Sequence, residues 1–191
     1  MGERVFVDAN VLFSRTLRDW IFLLRYHSHG QMFTLGSTED VLAETFSRLR
    51  DKHPNLPGAV ITRLRERIVT NLDEMIDDFI VEPWMTQGDA GDAHVRAAAN
   101  AGGFGMLLTD DVGLLSERES VTRARYEPIS PDDFLVLIDD SNATLVRRVT
   151  QIQLDYFMGR HGNADLTGHL RAAGCLNFAE RINLHCHALL N

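Results

Sequence analysis

A parallel α/β fold is what this sequence predicts, and three observations carry the prediction. Short apolar runs alternate with longer stretches that show helical periodicity, the signature of a sheet built from crossover units. Two of those runs, "VFVD" near the start and "FGMLLTDD" past the middle, are apolar up to the polar groups that close them, as strands buried on both faces are. Both end in acids, at the edge where open α/β sheets bind their ligands.

Strand one is read from Arg4 to Ala9. Val11 to His27 carries Leu12, Trp20, Leu23 and Leu24 at helical spacing, and Gly30 closes it. A short strand at Met32 to Leu35 follows, and Ser37 with Asp40 three residues on resembles a capping box opening a helix to about Leu49. "HPNLPG" breaks the chain, a long helix runs from about Pro57 to Met75, and Phe79 to Glu82 reads as the third strand. "GDAGDAHVRAAANAGG" is a helix with Asp89 as N-cap and Gly102 and Gly103 as its stop. The fourth strand is "FGMLLTDD"; a helical turn near Leu114 and the strand "ARYEPIS" follow. Ser130 and Pro131 then cap another helix, and from Asp139 on the pattern is helical only. This divides the chain into an α/β domain, 1–138, and a helical extension, 139–191, packed on it.

Composition narrows the function. The chain has 191 residues, is 45% hydrophobic and 24% charged, and contains no run approaching the ~18 apolar residues of a membrane span. The start, "MGERVFVD", has no export leader, so a soluble cytoplasmic protein with Cys175 and Cys186 as reduced thiols is expected. A net charge of −8 argues against coating nucleic acid by bulk electrostatics. A local reversal stands against it: Arg48, Arg50, Lys52, Arg63, Arg65 and Arg67 outnumber Glu44, Asp51 and Glu66, which reads either as a solvated helix face or as a track for a polyanion.

The acids carry the chemistry. Asp8 closes strand one, where it either caps the next helix or faces a site; Asp110 and Asp111 close strand four. Glu44 interrupts the apolar pattern "VLAETF", and is either a metal ligand or half of an i, i+4 surface pair with Arg48. Asp92 sits in a helix's first turn, near its positive end. Converging carboxylates raise one another's pKa unless a cation offsets them, and Mg²⁺ or Mn²⁺ held by oxygen ligands suits phosphate-ester hydrolysis. "HCH" at 185–187 is read as surface or packing residues, since positions two apart on a helix face different sides.

"VFVDANVLFS", "TEDVLAETF" and "GDAHVRAAANAGGFGMLLTDD", in that order, resemble the PIN domain, in particular its prokaryotic VapC-type toxins, over residues 4 to 138. The resemblance implies a three-layer α/β/α fold with a five-stranded parallel sheet in the order 3-2-1-4-5. It implies a metal-dependent endoribonuclease, the toxin of a type II toxin–antitoxin pair, with RNA as substrate, an antitoxin partner and a homodimer. Its site residues carry over to Asp8, Glu44, Asp92 and, one beyond Thr109, Asp111, with the choice between Asp111 and Asp110 left open; Asn10 and Thr109 match supporting polar positions. Arg48, Arg50, Arg63, Arg65 and Arg67 are the candidates for holding the substrate backbone. "VGLL" departs from the family where an Asp-Phe pair often follows the fourth-strand acid.

Of three rivals to this reading, two fail. A phosphatase or receiver needs a lysine at a later strand end, and Lys52, the only lysine, lies in a helix. A dinucleotide-binding fold fails because "AGGFG" precedes a strand where that fold needs a strand-to-helix turn. A PIN domain that binds RNA or protein without cutting is the third.

Overall fold

A computed structural model describes residues 2–86, 90–116, 124–162 and 164–190. Five parallel strands, β1 (Glu3–Val7), β2 (Phe33–Ser37), β3 (Glu74–Met75), β4 (Met106–Leu108) and β5 (Glu127–Ile129), lie in the order β3-β2-β1-β4-β5. β1 is central: Val5 pairs with Leu35 on one side and Met106 on the other, and Val7 lies opposite Leu108. Val5, Phe6 and Val7 are fully buried, as an apolar strand covered on both faces must be. Helices flank the sheet, in keeping with a three-layer α/β/α arrangement.

The first helical segment is two helices, α1 (Ala9–Phe13) and α2 (Arg15–His27). Ser14 separates them. Its backbone N–H closes α1 on Asn10, and its hydroxyl accepts from Leu17 N to open α2. α3 (Glu39–Lys52) is capped by Thr38, whose hydroxyl accepts from Val41 N at 3.1 Å. Ser37, expected in that role, is still strand, and its hydroxyl donates to the carbonyl of Val7 at 3.0 Å.

The third strand departs most from expectation. α4 (Gly58–Asn71) stops short of Met75, and β3 is Glu74–Met75; Phe79 to Glu82 has no regular structure, with Ile80 80% exposed. Polar anchoring decides this. Asp73 donates its backbone N–H to Leu35 O and accepts from Leu35 N with its carboxylate, both at 2.8 Å, and Arg25 pairs with that carboxylate. Both carboxylate oxygens of Glu74 then accept from Arg4 Nη2, at 2.6 and 2.7 Å, and Arg4 Nε donates to Oε1 at 3.2 Å. The chain is fixed into the sheet by ion pairs before its apolar run begins.

After the short α5 (Ala93–Ala101), Gly36 on β2 gives room for Phe104: a Cβ at position 36 would lie 2.2 Å from that ring, which meets Phe6 edge-on at 5.4 Å. Asp89, expected to cap α5, lies outside the described residues. α6 (Val112–Ser116) follows β4, and α7 (Pro131–Ser141) follows β5, capped by Ser130 as expected.

Residue 139 lies within α7, and three further helices complete the chain: α8 (Ala143–His161), α9 (Leu166–Ala172) and α10 (Leu176–Leu190). Val146, Val149, Leu170, Phe178 and Ile182 on them are buried in one core with the sheet, and Phe178 meets Trp20 of α2 edge-on at 5.1 Å. His185 of α10 sits 2.6 Å from Asp139 of α7, both buried, so the "HCH" motif supplies a helix-to-helix contact. No helix among the described residues is long and apolar enough to cross a membrane.

Candidate functional site

The parallel pairing of β1 with β4 puts Asp8 beside Thr109, immediately past the strands' carboxyl ends. Asp8 is both a cap and part of this cluster. One carboxylate oxygen accepts from Ala9 N at 2.6 Å at the start of α1, and the other accepts from the Thr109 hydroxyl at 2.7 Å. Thr109 Oγ1 also accepts from Asp111 N at 3.0 Å, so one buried threonine fixes acids on both strands. Burial pushes the Asp8 carboxyl above its ordinary value of 3.8; the bonds from Thr109 and Ala9 hold it down, Glu44 adds to the rise and Arg48 opposes it.

The two adjacent acids after Thr109 do different work. Asp111 accepts from Leu114 N at 3.0 Å and so opens α6. Asp110 is more exposed and turns to Asn10, which hydrogen-bonds it. Its carboxyl is also raised, first by desolvation and then by Asp111, with Arg48 and Asn10 opposing. Asn10 Oδ1 accepts from Arg48, and Arg48 reaches Glu44 at 2.6 Å, so a polar chain runs Asp110–Asn10–Arg48–Glu44. Glu44 is thus both the i, i+4 partner of Arg48 and an acid close enough to raise Asp8.

Asp92 reaches this cluster indirectly. It stands at the start of α5, 3.7 Å from the buried Arg96, while His94, two residues on, lies 3.9 Å from Glu44 and bonds Gly91 O through Nδ1. Among the described residues no three carboxylate, imidazole or thiol groups already stand at metal-cage spacing. The donor chemistry fits a hard divalent cation all the same: every candidate is an oxygen donor, and two of the carboxyls are disfavoured as anions where they stand.

The arginines expected to track substrate are spread over several places. Arg48 belongs to the site. Arg50 donates to the carbonyl of Leu56 and ties the loop after α3; Arg65 pairs with Glu39 at 2.5 Å; Arg63 is exposed on α4; Arg67 lines a separate groove with Tyr26 and Arg160.

A groove of about 1130 Å³ opens beside Asp110, walled by α1, α2, α3 and α4 and, from the far end of the chain, by Ala172, Ala173 and Gly174. Arg15, Arg18, Arg48 and Lys52 line it. Arg15, Arg18 and the C-terminal wall carried no signal as site residues in the sequence, since an arginine at helical spacing reads as a solvated face. Cys175, next to that wall, is a free thiol pushed up to about 12 by burial, with Asp132 and Asp110 acting in the same direction. It is expected to stay unreactive toward a thiol reagent at pH 8 until the protein is unfolded. Rapid labelling of native Cys175 would contradict its placement.

Comparison with known proteins finds no matching family model, no matching curated protein and no matching solved structure.

Proposed function

We propose that this protein is a metal-dependent ribonuclease that hydrolyses RNA phosphodiester bonds with Mg²⁺ or Mn²⁺. The observation that carries the reading is Asp8: a buried carboxylate at the end of the central strand, held by Thr109, with its charged form disfavoured by burial and further by Glu44. Native chains seldom leave acids in such a place without a cation to offset them.

Asp8, Glu44, Asp92 and one of Asp110 and Asp111 would hold the cation. When bound, it would supply charge stabilisation at the phosphoryl oxygens and a more acidic water. Thr109 and the Ala9 amide fix the orientation of Asp8. Arg48, bridging Asn10 and Glu44, is placed to exchange Glu44 for a phosphate oxygen, which frees Glu44 as a ligand. The toxin role, an antitoxin partner, a homodimer and a cytoplasmic setting are supported by the resemblance and the sequence reading.

A second reading, a PIN-like module that binds RNA or protein without cutting, is favoured by the Glu44–Arg48 pair, which occupies one candidate ligand. Purified protein and single-stranded RNA with Mn²⁺, Mg²⁺ or EDTA distinguish the two. Cleavage that needs the divalent ion and falls roughly 100-fold or more in Glu44→Gln supports the nuclease. Cleavage that survives EDTA overturns the metal assignment, and binding without any cleavage selects the module.

A further inference from the structure

Arg18 is a cation that the fold does not explain. It lies on α2 and is 7% exposed, yet it lines the groove. Its Nη1 donates to the carbonyl of Leu12 at the end of α1. No carboxylate among the described residues forms an ion pair with it: the adjacent acid, Asp19, pairs with Arg15 at 3.4 Å. A buried guanidinium with no carboxylate in ion-pair contact is costly: burial lowers its affinity for the proton, and the neighbouring Asp19 opposes this only in part. A leucine or methionine would fill the same space at less cost. The planar fork, with one nitrogen spent on Leu12, keeps donors suited to two oxygens of one anion.

The surroundings specify which anion. Lys52, the second groove cation without a carboxylate partner among the described residues, has its Nζ 5.2 Å from the centre of the Phe13 ring. Phe13, Leu49, Leu56 and Leu64 give the groove half-buried apolar surface between these charges. Cations alternating with apolar and aromatic surface suit a single strand, whose phosphates meet the charges while its bases leave water. A groove of about 1130 Å³ is the size of a pocket for a short segment, too small for a duplex. Asp110 is one of its lining residues, so a strand lying in the groove passes the acid cluster.

Resting on the nuclease reading, we propose that Arg18 anchors a backbone phosphate of single-stranded RNA next to the phosphate that is cut, in a groove whose far wall is Ala172–Gly174. Arg18 is a positioning residue: it holds the strand, and the acids act on it.

The test separates binding from cutting. Fluorescence anisotropy with a single-stranded RNA of about ten nucleotides is measured in EDTA across a range of salt, on the full chain, alongside melting curves. Arg18→Met is expected to weaken binding about tenfold and to reduce the salt slope by about one, with partial recovery in Arg18→Lys. In cleavage, KM is expected to rise with kcat little changed. A role confined to holding Leu12 would lower the melting temperature and leave the salt slope as it is.

If Arg18→Met does not fold, Ala172→Glu decides, because it puts a negative charge on the groove lining at an exposed position. It is expected to weaken binding several-fold with normal melting. Unchanged affinity and salt slope in whichever variant folds, or no RNA binding by the wild-type chain, overturns the anchor even if cleavage is confirmed. Arg18-dependent binding without cleavage keeps the anchor and overturns the nuclease.

Discussion

Asp8→Asn is expected to abolish metal-dependent cleavage, by about 100-fold or more, and at the same time to raise the melting temperature of the metal-free protein at neutral pH. On the proposed reading, the loss follows from removing one charged ligand at nearly constant volume. Asparagine is as good an N-cap as aspartate, so the bond from Ala9 N survives, and the Thr109 hydroxyl can turn to accept from the new amide. The gain in stability follows from linkage. The folded chain raises the Asp8 carboxyl above 3.8, so between that value and the raised one the folded state holds more protons than the unfolded state. Stability therefore falls as the pH rises through this window, and at neutral pH the whole penalty is present. A neutral asparagine carries none of it. The melting-temperature difference between variant and wild type should close as the pH is lowered toward 3.8, and Mn²⁺ should stabilise only the wild type. An Asp8→Asn protein that cuts normally, or that melts lower than wild type at neutral pH, would contradict the site and the linkage respectively.

The place of Asp8 at a strand end also explains which parts of the candidate site the sequence could disclose. Asp8, Asp110 and Asp111 were legible because they stand at the ends of apolar runs, and a parallel sheet brings strand ends together whatever lies between them. Thr109 was legible only as a supporting position. Its double role, donating to Asp8 and accepting from Asp111 N, depends on a register that no local pattern encodes. Arg18 was illegible because an arginine at helical spacing reads as a solvated face, and the groove that it lines is completed by Ala172–Gly174, about 150 residues downstream.

The fold divides in the same way. β1 and β4 announced themselves through uninterrupted apolar runs, and the Ser130–Pro131 cap through local chemistry. β3 did not, because two residues held by Asp73 and by the Arg4–Glu74 pair do the work of a strand, while the apolar Phe79–Glu82 run is left outside the sheet. The break at Ser14 was hidden for a similar reason. Leu12 and Trp20 keep helical spacing across it, and only the side chain of one serine ends one helix and starts the next.

Deleting residues from Asp140 onward is expected to give an insoluble protein or one that melts far below the full chain. The helices removed are part of the core. Val146, Val149, Leu170, Phe178 and Ile182 are fully buried, and Trp20 would lose the ring of Phe178 that covers it. At about 1.5–3 kcal/mol for each large apolar side chain fully buried, their loss is comparable with a whole domain's stability of about 5–15 kcal/mol. The cut also removes His185 and leaves Asp139, a buried acid, at a chain end without its partner. Because truncation can fail in uninformative ways, Phe178→Ala supplies a graded version: a loss of about 3–5 kcal/mol, read as a fall of roughly 6–20 °C in Tm. A truncated chain that stays soluble, monomeric and equally stable would make α8–α10 an independent arm. The same segment carries the Ala172–Gly174 wall of the groove, so the part of the chain that completes the core also bounds the groove proposed to hold the strand.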